Sequence, residues 1–227
     1  MRRTVLLAAG GVTAAQWAPS AAVVIPRAAM LLGIPTRRPT SSEVLLSFDD
    51  GPHPQGTPAV LAELERAGAH AVFFVCGEQV ERYPEVTREV VAAGHELGLH
   101  GYRHETRRHW SKRLLADDTR RSLEVLQEAA GVTPRLYRPP HGVFSLTGLR
   151  LIRELRLEPL LWSKWGRDWE VRATPETIAR RATTGISAGD VVLLHDADHY
   201  GARDSWCNTA RALPLIFDAI DRAGLSS

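Results

Sequence analysis

Cysteine is scarce in this chain: two residues in 227, Cys76 and Cys207. They form no Cys-x-x-Cys or Cys/His pattern, so a cysteine-built metal or redox motif is excluded. A disulfide between them stays open, and the redox compartment with it. Net charge is also small. The formal value of +2 gives no case for nucleic acid, and the arginines are spread along the chain. The local run Arg103, Arg107, Arg108, Lys112, Arg113 reads as a solvated helix face. No internal repeat is visible. No glycine-rich fingerprint follows the first strand-like run, so nothing invites a dinucleotide. Uninterrupted apolar length is short for a membrane span, and Pro19 and Pro26 break the stretch that comes nearest.

What remains is ordinary in bulk: 44% apolar and 24% charged residues, enough for one soluble domain with a sizeable core. The N-terminus stands apart. Met1-Arg2-Arg3 precedes an apolar stretch from Thr4 to Ala15, and further apolar stretches run Ala21–Ile25 and Ala28–Ile34. A basic start before a short apolar region resembles a secretory signal. Residues 1–34 are therefore expected to be a signal peptide or a membrane-associated segment. An apolar helix packed on the domain is the structural alternative. Residues 35–42 (Pro-Thr-Arg-Arg-Pro-Thr-Ser-Ser) read as a linker into a domain at 43–227. The expected location is exported, extracellular or membrane-associated. No obligate protein partner is evident.

From Glu43 onward strand-like and helix-like segments alternate. The expected strands are Val44–Asp49, Ala71–Val75, His95–His100, Arg135–Arg138, Glu158–Ser163 and Val191–His195. They are short and apolar, as strands buried on both faces should be. The expected helices are Thr57–Ala67, Pro84–Ala93, Ser111–Ala130, Thr147–Arg156, Pro175–Thr184 and Asn208–Ala223. Gly68, Gly94 and Gly131 stop the first three, and Thr174-Pro175 caps the fifth. This alternation predicts an α/β fold with a parallel sheet. Six strands are too few for a full eight-fold barrel, so a distorted, incomplete (β/α) barrel is expected, ahead of an open doubly wound sheet.

Polar residues cluster where these runs end. Asp49-Asp50 closes the first, His100 and His104 follow the third, Arg138 the fourth, Asp168 trails the fifth, and His195 ends the last. Parallel strands bring such ends together, and ligand sites form there. The His-x-x-x-His spacing suits a single metal ion. Two histidines and a carboxylate suit a catalytic zinc, and Asp49-Asp50 is the natural source of that carboxylate. Neighbouring residues leaving a strand point in different directions, so one aspartate can bind metal while the other acts as a base.

At these residues the chain resembles the polysaccharide deacetylases of the NodB-homology type, carbohydrate esterase family 4. Ser47-Phe-Asp-Asp-Gly-Pro52, His100-Gly-Tyr-Arg-His104, Arg138-Pro-Pro-His-Gly142, Asp168-Trp169 and Leu193-Leu-His195 match the family's motifs in its order. The resemblance implies that Asp50, His100 and His104 bind a divalent metal, usually zinc, with cobalt another option. It implies Asp49 as general base, Arg138 as the group that orients it, His195 as general acid and Asp168 as the holder of His195. The backbone N–H of His141 would stabilise the oxyanion. Trp169 and Leu193 would take the acetyl methyl, and Pro139 and Trp165 would line the substrate cleft. The implied activity is N-deacetylation of N-acetylglucosamine residues in peptidoglycan or a chitin-type oligosaccharide. An O-acetyl xylan esterase or small-amide hydrolase of the same fold is the near alternative, and a non-catalytic glycan-binding module the distant one.

Three positions depart from the family pattern. Gly101 replaces serine or threonine, which removes an expected hydrogen bond near the metal. His141 replaces tyrosine, and Trp165 replaces the first aspartate of Asp-x-x-Asp-Trp. Trp162, Trp165, Trp169 and Trp206 make the C-terminal half tryptophan-rich, and their faces suit sugar rings.

Overall fold

The structure is a computed structural model that describes residues 16–38, 41–106 and 111–227. Seven parallel strands form one sheet: β1 (Leu45–Asp49), β2 (Ala71–Val75), β3 (Glu96–Leu99), β4 (Leu136–Tyr137), β5 (Glu158–Pro159), β6 (Lys164–Trp165) and β7 (Val191–His195). Their order is β5-β4-β3-β2-β1-β7-β6. Helices α2 (Gly56–Ala67), α3 (Gly77–Arg82), α4 (Pro84–Ala92), α5 (Lys112–Ala130), α6 (Leu146–Glu154), α7 (Pro175–Thr183) and α8 (Ser205–Arg222) fill the connections and follow the last strand. A short α1 (Pro26–Leu31) precedes β1.

The sheet must curl. A flat sheet of seven strands would hold its outer strands roughly 29 Å apart. Yet β5 and β6, at opposite edges, are joined by Leu160–Ser163 alone, a chain that spans at most about 18 Å when fully extended. The fold is therefore the distorted, incomplete barrel expected. The strand expected over Glu158–Ser163 is corrected to Glu158–Pro159, and the edge strand Lys164–Trp165 just beyond it was not expected. Pro159 lacks the N–H that would continue a ladder. The chain instead leaves β4 at Leu160, whose N–H donates to Tyr137 O, and joins β7 at Ser163, whose N–H donates to Val191 O. Helix α3 was not expected; its six residues are too few to show a helical period.

Strand period places alternate side chains inside and outside the curl. Leu46, Phe48, Phe73, Val75 and Leu194 face outward into the main core under the helices. Phe48 and Phe73 stack with ring centres 5.1 Å apart. Val72, Phe74, Leu136, Leu160 and Val191 form a separate cluster in the interior. Helix boundaries follow local chemistry. Ser111 caps α5 by accepting from Leu114 N–H, and Gly131, at φ 69°, closes it. Thr174 and Thr177 form a capping box at the start of α7.

Residues 16–38 run across the open side of the barrel. Pro35 O accepts from Leu161 N–H, and Arg37 bridges to Asp190. Ala22, Ala29 and Ile34 are buried in the main core. Arg153 donates to the carbonyls of Leu32 and Gly33. No helix among the described residues is long and apolar enough to cross a membrane. The apolar stretch Thr4–Ala15 lies outside the described residues, as do Arg107 and Arg108 of the basic run. Lys112 and Arg113 of that run pair with Glu154 and Asp117 on the surface. Cys76 is a buried free thiol and Cys207 is also free.

Candidate active site

The carboxyl ends of the strands meet in a cleft of about 350 Å³ lined by Asp49, Asp50, His100, His104, His141, Trp162, Trp165, Trp169, Leu193, His195, Tyr200 and Val23. Asp49 is the last residue of β1 and points into the barrel. There Arg138 Nη1 donates to Asp49 Oδ1 at 2.6 Å. Arg138 is wholly buried, and three of its four remaining N–H donors are used: Nε to Leu160 O, Nη2 to Leu161 O, and Nη1 also to Ser47 Oγ. Its guanidinium lies 3.9 Å over the Phe74 ring. A planar, charged fork thus bridges Asp49 to the stretch where backbone pairing between the sheet edges fails. The proline-flanked arginine was legible in the sequence. Ser47 as its second anchor was not, because a strand serine gives no sign of its partner.

Asp50 turns the other way. Its φ of 79° takes it out of the strand conformation. Asp50 Oδ1 lies 3.4 Å from both His100 Nε2 and His104 Nε2. Burial opposes its ionisation, but the contact with His100 and the facing charge of His195 hold its carboxyl below the usual range. The Gly51 backbone runs against Asp196: an added Cβ would stand 2.8 Å from Asp196 Cγ. Burial pushes the Asp196 carboxyl up to about 7, and Thr57 Oγ1 donates to it. Asp196 therefore sits under the Asp49–Pro52 turn, a position its sequence neighbourhood did not mark.

His100 and His104 share no helical turn. They flank an irregular loop, and Gly101, at φ 87°, lets it fold so that the two rings stand 5.2 Å apart. At that φ a serine or threonine would be strained. The support expected from a hydroxyl comes from Asp118, whose Oδ2 accepts from Tyr102 N–H at 2.7 Å. His100 Nδ1 lies 2.8 Å from Arg138 O. A carbonyl only accepts, so Nδ1 carries a proton, and Nε2 is the ring nitrogen turned toward Asp50. Burial pushes His104 down to about 3, which keeps it neutral. Tyr200 stacks flat on its ring at 4.4 Å and His141 meets it edge-on.

One ligand atom from each of Asp50, His100 and His104 lies within 4.8 Å of the others. Asp50 Oδ1 is buried without a hydrogen-bond partner. Two imidazoles facing an unsatisfied carboxylate oxygen are the donor set a divalent metal takes, so these residues fit one.

His195 stands at the end of β7. Its Nδ1 lies 2.9 Å from Asp168 Oδ1, its backbone N–H donates to Asp168 Oδ2, and Thr209 Oγ1 donates to the same oxygen. Burial disfavours the imidazolium, but the charge and hydrogen bond of Asp168 outweigh it. With Asp50 and Asp49 adding to them, His195 is raised to about 10. Its Nε2 faces the site, 3.9 Å from Asp50 Oδ2. Trp169 packs edge-on against His195, and Trp165 against Trp169.

Of the residues expected at the site, nine line the cleft and two, Arg138 and Asp168, stand behind it. Pro139 is the exception: it is buried beneath the cleft, where its extended backbone carries the chain into the 3-10 turn Pro140–Gly142. His141, at φ 57°, heads the opposite wall. Tyr200, Trp162 and Val23 line the cleft without having been expected there. Of these only Trp162 gave a signal, as one of the clustered tryptophans.

A carboxylate held by a buried cation and an imidazole held by a buried carboxylate stand on either side of a triad that fits a metal, an arrangement suited to hydrolysis. The chain belongs to the polysaccharide deacetylase family, whose model it matches over residues 36–160. By that membership it is a hydrolase, a polysaccharide deacetylase. It is 32% identical over 183 residues to a peptidoglycan-N-acetylglucosamine deacetylase of Bacillus cereus, covering 80% of this chain and 83% of that one. It is 29% identical over 192 residues to a chitooligosaccharide deacetylase of Azorhizobium caulinodans, covering 82% and 91%. A solved structure of a peptidoglycan N-acetylglucosamine deacetylase superposes with a TM-score of 0.78 at 25% identity, over 85% of this chain and 88% of that one. Asp168 and His195 lie beyond the family-model match, so their pairing here rests on geometry.

Proposed function

We propose that this protein removes the N-acetyl group from N-acetylglucosamine residues of a peptidoglycan or chitin-type glycan, releasing acetate. The observation that carries this reading is the placement of Asp49–Arg138 and His195–Asp168 around the Asp50, His100, His104 triad in one cleft. The triad would hold a divalent cation, zinc or another such as cobalt. When bound, that cation supplies a Lewis acid for the acetyl carbonyl and the attacking water.

The chain's own residues do the rest. Asp49, fixed by Arg138, takes the proton of the attacking water. The His141 backbone N–H meets the oxyanion as charge develops. His195 gives its proton to the departing nitrogen, and Asp168 keeps it charged and oriented until then. Trp169 and Leu193 shape the wall against the acetyl methyl. Trp165, 37% exposed at the rim, offers a face to a sugar ring. The raised His195 favours the amide over the ester reading. An amine leaves only when protonated, whereas an ester's alcohol needs that help less.

Export fits this substrate. A basic start and an apolar stretch precede the domain, and a cell-wall glycan lies outside the cytoplasm. The protein is read as exported, extracellular or membrane-associated.

The test is acetate release by the full chain, metal-stripped and then zinc-reloaded, on chitin oligomers, peptidoglycan and acetylated xylan. Zinc-dependent release from either of the first two is expected. Release from xylan alone would make it an ester hydrolase. Silence on all three with metal bound would point to a small amide, and silence without metal binding to a glycan-binding module.

A further inference from the structure

The helix α1 is amphipathic the wrong way round for a helix facing water. Ala29 is buried in the core, while Met30 and Leu31 are 73% and 83% exposed. Arg27 shares their face by helical spacing and is exposed. Val24, at 71%, and Ile25, at 49%, extend the apolar surface just before the helix. Soluble proteins rarely leave several large apolar side chains side by side in this way.

Two further observations name what covers this surface. The first is charge: residues 1–42 contain no acidic residue, the first being Glu43, and Arg27 lies on the patch itself, while Arg37 and Arg38 are engaged by Asp190 and Glu96. The second is continuity. The segment carrying the patch follows the apolar stretch Thr4–Ala15, and it also borders the catalytic cleft. Val23 lines the cleft, and Val24 and Pro26 line an adjoining groove with Trp162 and Trp165. An apolar patch that carries Arg27 and adjoins a groove lined by Trp162 and Trp165 matches the headgroup region of an anionic bilayer.

We infer that α1 and the residues just before it sit in the interface of an anionic lipid bilayer, so that the mouth of the catalytic cleft opens beside the membrane surface. This rests on the membrane-associated localisation proposed above and adds the surface that makes the contact. It favours glycan strands close to the membrane as substrate.

The test is co-sedimentation of the full chain with vesicles of phosphatidylcholine alone and with added phosphatidylglycerol. The parent protein is expected to partition onto the anionic vesicles more strongly than onto the neutral ones. Met30→Glu with Leu31→Glu is expected to lower that partitioning about ten-fold or more. Its acetate release from a soluble chitin oligomer and its circular dichroism melt should stay at parental values. Val24→Glu, at the other end of the patch, should lower partitioning in the same direction. If both variants partition like the parent, other residues hold the membrane and the surface assigned here is wrong, while the localisation survives. If the parent ignores both vesicle types, surface and localisation fall together. A parental dimer in sedimentation velocity that the double variant dissolves, with no vesicle binding, would make a second copy the occupant and overturn the inference.

Discussion

The two halves of the cleft are held by opposite strategies. On the Asp49 side a permanent cation, Arg138, is locked inside the barrel with every nitrogen of its guanidinium engaged, to Asp49, Ser47 and the carbonyls of Leu160 and Leu161. On the His195 side a buried carboxylate, Asp168, holds a group that titrates, and the partner faces the open cleft beside Trp165 and Trp169. Permanent charge suits the half that doubles as structure, since Arg138 also fills the gap between the sheet edges. A titratable charge suits the half that must hand over a proton. The comparison predicts that damage on the first side costs fold and turnover together, and damage on the second costs turnover and changes its pH dependence.

The sharpest break is Arg138→Met. It leaves Asp49 buried without its cation, and a loss of about 3–5 kcal/mol in unfolding free energy is expected, with turnover lost as well. Denaturant unfolding followed by circular dichroism checks the first part. A stability within 1 kcal/mol of the parent, as an order-of-magnitude bound, would show that the pair is not structural. Asp49→Asn separates the two roles. It keeps the size and one acceptor, so the fold and the zinc content of the loaded protein should hold. Turnover should fall by roughly 10²–10⁴ for want of the base.

On the other side Asp168→Asn should leave the fold nearly intact and move the alkaline limb of the pH–rate profile downward. The sign follows from His195. Its pKa is raised to about 10 chiefly by Asp168, against burial. Activity that needs the imidazolium is present below that value and lost as pH rises through it. Removing the carboxylate lowers the value, so the loss starts nearer neutrality. An unmoved limb would mean that the limb reports another group.

Gly51→Ala should cost about 1–3 kcal/mol, because its Cβ would press on Asp196, and thermal melts would show it. The smallest effect is expected from Trp165→Ala at the exposed rim: a few-fold rise in KM on polymeric glycan, with kcat held. An unchanged KM on every glycan would leave Trp165 as packing alone.

Much of this was legible in the sequence, and what was missed has physical reasons. Val191–His195 and Ala71–Val75 were readable to the residue because strands buried on both faces are unbroken apolar runs. Glu158–Ser163 looked the same, yet at the barrel's incomplete closure only Glu158–Pro159 pairs and the next strand starts at Lys164, and closure is decided by strands far away in sequence. Asp49, Asp50, His100 and His195 were legible because each is a polar group at or just past the end of an apolar strand, and His104 because it stands four residues after His100. Tyr200 was not. Its place on His104 depends on the fold of the Asp196–Asp204 loop, and a tyrosine there carries no local pattern. Nor was Val23, which reaches the cleft only because residues 16–38 cross the barrel's open side.

The most direct test of the divided site compares Asp49→Asn and His195→Ala on two substrates, a chitin oligomer and an aryl acetate whose phenolate leaves without protonation. The base is needed for both and the acid for the amide alone. Asp49→Asn should therefore lose both activities, while His195→Ala should lose amide turnover by roughly 10²–10⁴ and keep most of its ester turnover. Equal losses on both substrates for both variants would contradict the assignment of one proton task to each side of the cleft.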